Sequence, residues 1–126
     1  MSQGAYLRTR YQDPRRGEDR EREYGDDGDV WVVVNGEKTL WCHFDEPAVA
    51  AARQAVADAD LATLEDIEAR GHDLATMTYE WRVGDTSGRF VDAAYPAVLP
   101  ARVDRLEEAL LQLEEAASGA STDQQD

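Results

Sequence analysis

The residues of this chain that could do chemistry are few. Cys42 and His43 stand side by side, and a thiol nucleophile needs a neighbouring base. The segment around them reads as a β-strand, however, and consecutive strand residues point to opposite faces. The thiol is therefore expected inside as a small hydrophobe, with the imidazole on the other side. A mixed imidazole and carboxylate metal site is conceivable from His43, Asp45, His72 and Asp73. These residues lack the short fixed spacing of a ligand motif, and His72-Asp73 follows a helix-ending Gly71 where polar loop residues are expected anyway. Gly84-Asp85-Thr86-Ser87-Gly88 has neither the Lys nor the strand-to-helix context of a phosphate-binding loop. Tyr79, Trp81 and Trp31 have the chemistry of a base-stacking platform, but with so few cations nearby they read as core aromatics. With 27 acidic side chains in 126 residues, carboxylate pairs arise by chance and select nothing. No catalytic residue, cofactor or metal is expected. The alternative is a small enzyme or ligand-binding domain with a scattered site near His43, His72 and Arg82.

The clearest element is the stretch from Asp29 to Phe44. Asn35-Gly36 favours the positive φ angles of a tight turn, and β-branched and aromatic residues flank it on both sides, so a β-hairpin is expected, closing on Asn35-Gly36 alone or on the four residues from Asn35 to Lys38. Strand alternation puts Trp31 and Val33 on one face with Leu40, Cys42 and Phe44, which is read as core. The other face carries Val30, Val32 and Val34 against Thr39, Trp41 and His43. A strand apolar on both sides is central in a sheet or covered by something else. Val30, Val32, Val34 and Trp41 are therefore the expected partner-binding residues.

Further along, Asp45 is a plausible N-cap with Pro47 in the first turn, opening a helix to about Ala57 with Val49, Ala52 and Val56 inward. Thr63 to Asp66 resembles a capping box, which predicts a second short helix with Leu61, Leu64 and Ile67 inward and a stop at Gly71. Met77 to Val83 alternates cleanly as a strand with Met77, Tyr79, Trp81 and Val83 inside. Arg89-Phe90-Val91 is a short return strand. Pro96 and Pro100 break the chain before a last helix, about Ala101 to Ala117, with Val103, Leu106, Leu110 and Leu113 on one seam. Residues 1–29 hold almost no large aliphatic side chain and mix Arg with acids, so they read as a disordered charged arm. Residues 118–126 read as a polar tail. The expected fold is α+β: a small antiparallel sheet of two hairpins with helices packed on it, order β-β-α-α-β-β-α, in a single domain spanning 30–117.

Charge limits the function further. The net charge is −14, and twelve of the thirteen basic residues are Arg. Such a surface repels nucleic acid and anionic membrane. There is no charged-then-apolar leader and no long apolar run, so a soluble cytoplasmic protein is expected. The excess of Asp over Glu, with abundant Ala and a single Ile, resembles the composition of halophilic proteins. The function expected is a non-catalytic protein-interaction module (an adaptor, an inhibitor or a self-associating homodimer). An acidic imitation of DNA, built from rows such as Glu65, Asp66, Glu68 and Glu107, Glu108, Glu114, Glu115, is the sharper alternative. If the acidic surface is a salt adaptation, the thermal midpoint rises in molar salt as screening removes self-repulsion. Equal midpoints at low and molar ionic strength, measured by circular dichroism, would remove that reading.

Overall fold

The computed structural model describes residues 4–68, 75–95 and 100–123. Six strands form one antiparallel sheet: β1 (Ala5–Asp13), β2 (Glu18–Gly25), β3 (Asp29–Val34), β4 (Glu37–His43), β5 (Ala75–Val83) and β6 (Thr86–Tyr95). Two helices, α1 (Glu46–Ala59) and α2 (Ala101–Asp123), complete the α+β fold. The sheet order is β4-β3-β2-β1-β5-β6. A four-stranded meander thus ends at one edge, and α1 carries the chain back so that β5 can pair with β1.

This corrects the expected element order. Within the stretch read as a disordered arm, residues 1–29, the described residues fold as β1 and β2 in the middle of the sheet and enter β3 at its end. The reason is a charge alternation with the period of a strand. Arg20, Arg22 and Tyr24 share one face of β2, while Asp19, Glu21 and Glu23 share the other. On β1, Leu7, Thr9 and Tyr11 join the first face, and Arg8 and Arg10 join the second. Ion pairs then cross the second, open face. Arg8 lies 3.2 Å from Glu23, 3.5 Å from Glu21 and 3.6 Å from Glu80, and Arg10 binds Asp19 through two nitrogens at 2.8 and 3.0 Å. Each exposed pair contributes at most about 1 kcal/mol; together they offset part of the negative charge on a face that, among the described residues, no helix covers.

The two helices lie over the opposite face. Asp45 caps α1 as expected, accepting from Ala48 N at 3.0 Å, and Ala52, Val56 and Ala59 are buried. Val103, Leu106 and Leu110 of α2 complete a core with Tyr6, Leu7, Tyr24, Val30, Phe44, Tyr79, Trp81 and Phe90. Arg102 ties the start of α2 to the end of α1, donating to Ala59 O and Thr63 Oγ1 at 2.7 Å each. Helix α2 continues to Asp123, through most of the segment read as a polar tail.

Three local expectations change. The second helix near Thr63 is a single 3-10 turn, Leu61–Thr63, and Ile67 instead forms a parallel bridge to Asp92 on the outer edge of β6. Gly71, His72 and Asp73 lie outside the described residues, as do residues 96–99. The return strand β6 runs to Tyr95 rather than ending near Val91.

The third change concerns the hairpin. Asn35 and Gly36, at φ 50° and 89°, close it as the two-residue turn the dipeptide favours, with Val34 opposite Glu37. A bulge then inserts Trp41, so that Leu40 pairs with Trp31 but Cys42 pairs with Val30. The extra residue shifts the alternation by one. The face read as core is thereby divided: Trp31, Val33 and Leu40 lie on the open face, whereas Cys42 joins Val30 beneath the helices.

Because β1 is paired on both sides and Leu7 is buried, Leu7→Ala is expected to lower the unfolding free energy by about 2–5 kcal/mol. Urea denaturation measures this. An unchanged midpoint would mean that the chain before β3 contributes nothing to the fold.

Candidate partner-binding groove

Helix α2 crosses the sheet without covering it fully. Beside it lies a groove of about 540 Å³. Its floor comes from the helix-side residues of four neighbouring strands: Tyr11 of β1, Arg20 and Arg22 of β2, Val32 and Val34 of β3, and Trp41 of β4. Its wall is α2, through Glu107, Leu110, Leu111 and Glu114.

Two polar contacts seven residues apart hold α2 to the sheet, a spacing that puts both on one side of a helix. Glu114 is buried and accepts from Arg22 Nη1 at 2.7 Å and from Tyr24 Oη at 2.6 Å. Glu107 accepts from the Tyr79 hydroxyl. Burial first, and then these carboxylates, push the ionisation of Tyr24 and Tyr79 far above the usual tyrosine range. Each arginine of the floor also stacks on an aromatic ring. Arg20 lies 5.5 Å from the ring centroid of Tyr11, and Arg22 lies 5.7 Å from that of Trp41. Arg22 is therefore fixed from two sides, and Trp41 is held beside it.

Trp41 and Val34 remain 51% and 43% exposed, and Leu111 across from them is 51% exposed. Among the described residues, these are three of the five exposed large hydrophobics, and all three line this groove. Val32 is half-buried in the same floor. Val30 departs from the expectation. It is fully buried within the core and presents nothing to a partner, because Cys42 pairs opposite it and the helices cover both.

The other candidate residues fall elsewhere. His43 Nδ1 lies 2.8 Å from the Asp29 carboxylate, which accepts from it. It shares a shallow cleft with Arg82 and Arg53, and Arg82 is engaged by Asp26. The structure thus brings His43 and Arg82 together, but Cys42 belongs to the helix side. Burial pushes the Cys42 thiol up to about 11, so it is not a thiolate at neutral pH. Among the described residues no group of three potential metal ligands gathers. Tyr79 and Trp81 are core residues, while Trp31 lies on the open face with Lys38 Nζ 4.8 Å from its ring centroid, so the three aromatics share no platform.

The sequence matches no protein-family model and no curated protein. Among the described residues no helix is long and apolar enough to cross a membrane.

Arg20, Arg22, Glu114 and Leu111 were not anticipated as groove residues. The signal for the arginines is their spacing of two with Tyr24. Nothing local marks Glu114, whose role is set by a strand 90 residues earlier.

Removing the tyrosine hydroxyl leaves Glu114 with Arg22 alone, and Tyr24→Phe is expected to cost about 1–3 kcal/mol at neutral pH. The pH dependence has a definite sign. Unfolded tyrosines ionise near 10.0, whereas the folded protein keeps Tyr24 and Tyr79 protonated above that value. Stability from these groups is therefore complete below pH 10 and declines as pH rises above it, by about 1.4 kcal/mol per pH unit for each tyrosine. Urea titrations across that range should show a shallower decline in Tyr24→Phe than in the wild type.

Proposed function

We propose that the protein is a non-catalytic module that binds other proteins, and that the groove beside α2 is its docking surface. The observation that carries this reading is the convergence of exposed Trp41, Val34 and Leu111 on one concavity. Exposed apolar side chains scattered singly are ordinary on a protein surface; several gathered in a groove mark a binding site. The polar groups lining it support binding rather than reaction. Glu114 is occupied by Arg22 and Tyr24, and Glu107 by the Tyr79 hydroxyl.

The occupant this groove suits is a segment with an apolar face flanked by cationic side chains. On α2, Leu111 lies between Glu108 and Glu115 at helical spacings of three and four, and both glutamates are exposed. A basic segment gains from these carboxylates and from the −14 net charge as it approaches. The imitation of DNA has less support. Glu107 and Glu114 are bonded to the sheet, and Asp66 accepts from Val91 N at 2.9 Å, so much of the acidic row points to internal partners.

Selection of displayed peptides against the purified protein tests the proposal. Recovered sequences should combine apolar residues at helical or alternating spacing with Lys or Arg, and binding should shift Trp41 fluorescence to the blue. Val34→Glu, at an exposed position, should leave the unfolding free energy within about 0.5 kcal/mol of wild type and abolish peptide binding. Selected peptides that bind Val34→Glu as well as wild type would place the docking surface elsewhere.

A further inference from the structure

The two edges of the sheet are treated differently. On β6, Ile67 occupies part of the outer edge: its N–H donates to Val91 O at 2.8 Å, and its carbonyl accepts from Ala93 N at 2.9 Å. On β4, no described segment pairs with the outer edge, and every residue but Cys42 is exposed. An uncovered edge strand is a template for another strand.

Register fixes which main-chain groups are free. Asn35 N donates to Asp19 O and Phe44 N donates to Gly28 O, at 2.8 and 2.7 Å. Hydrogen-bonded and non-bonded pairs alternate in an antiparallel ladder. Val30, Val32 and Val34 therefore bond to β4, and the residues of β4 that bond back are Glu37, Thr39 and, past the bulge, Cys42. The N–H and C=O of Lys38 and Leu40 point away from the sheet.

We propose that β4 pairs antiparallel with β4 of a second copy, in the register that puts Thr39 on the two-fold axis. In that register Lys38 of each copy exchanges main-chain hydrogen bonds with Leu40 of the other, so all the outward groups before the bulge are used. No like charges face each other. A shift that set Lys38 against its own copy would oppose two cations, and one that set Leu40 against itself would leave Lys38 facing the inward-turned Cys42. The side chains agree with this arrangement. Leu40, 48% exposed, lies beside Trp31 and Val33 on the open face, and the two-fold axis joins that patch to its copy.

The occupant is a second copy for two reasons. Glu37 and Lys38 cancel, so β4 carries no net charge in a chain of −14, and nothing on this edge draws a cationic partner. Two-fold pairing of β4 with itself uses that edge in both copies, and Ile67 interrupts β6 at Val91 and Ala93, so association closes at a dimer instead of extending into a fibre. The remaining charge of each copy opposes association over distance, and salt screens it, so the dimer tightens as ionic strength rises.

Sedimentation equilibrium on the full chain, at low and at molar salt, tests this. A dimer is expected, with a lower dissociation constant in molar salt. Leu40→Lys places a cation against Lys38 of the other copy, twice per dimer, and should weaken association by roughly tenfold or more. Leu40→Glu meets that same Lys38 with the opposite charge and should dimerise at least as tightly as wild type. Leu40→Pro removes only an outward N–H and should give a monomer. Leu40 is already exposed, so far-ultraviolet circular dichroism is expected to be unchanged in all three variants. A wild type that is monomeric at both salt concentrations overturns the proposal. So does a dimer that all three variants leave intact, or one that Leu40→Glu and Leu40→Lys weaken equally, since the register would then be wrong.

Discussion

The period-two alternation of charge along β2 governs both faces of the molecule. From Arg20 to Tyr24 the strand sends two arginines and a tyrosine to one side and two glutamates to the other. The glutamates meet Arg8 on the open face. On the helix side, Arg22 and Tyr24 receive Glu114 and so hold α2 near its C-terminal half. A slip of one residue in β2 would reverse both arrangements together, putting acids under the helix and cations onto the open face. It would also bury Glu21 or Glu23 where Tyr24 and Arg22 now stand. The register of β2 is therefore specified by electrostatics on two sides and by very little apolar surface.

That composition explains what the sequence revealed and what it concealed. The hairpin turn at Asn35-Gly36, the Asp45 cap, the alternation of Met77 to Val83 and the inward seam of α2 are local patterns, each written within a few neighbouring residues. All four are present in the structure, except that Val83, expected inside, is exposed at the end of β5. The strands β1 and β2 are concealed because they carry almost no hydrophobic alternation. Their alternation is one of charge sign, and a mixture of Arg and Glu resembles a disordered segment when order within it is ignored. The bulge at Trp41 was concealed for a different reason. Strict alternation predicts Cys42 and Leu40 on one face, and only the pairing of Val30 with Cys42 shows that a residue has been inserted.

The groove was half legible. Val32, Val34 and Trp41 stand on its floor, as the two-sided apolar strand suggested, while Val30 lies one step deeper, beneath the helices. Its wall was not legible, because the pairing of Glu114 with Arg22 and Tyr24 joins residues distant in the chain. The acidic residues also divide into two populations that composition cannot separate. Glu107, Glu114 and Asp66 are structural acceptors, whereas Glu108 and Glu115 face solvent. Only the second group is free to set how the protein meets other molecules.

The place of β1 bears on how the chain reaches this structure. It lies between β2, its immediate successor, and β5, which follows only after the meander and α1. As the polypeptide emerges during synthesis, β1 to β4 can zip together as nearest neighbours, but the far side of β1 stays bare until β5 arrives. During that interval the half-made sheet exposes two templates for wrong pairing, one on each flank. Arg8 and Arg10 stand on the waiting strand, and charged side chains at a temporary edge discourage union with another nascent chain. The same arginines that later knit the open face would thus serve first as guards of an unfinished one.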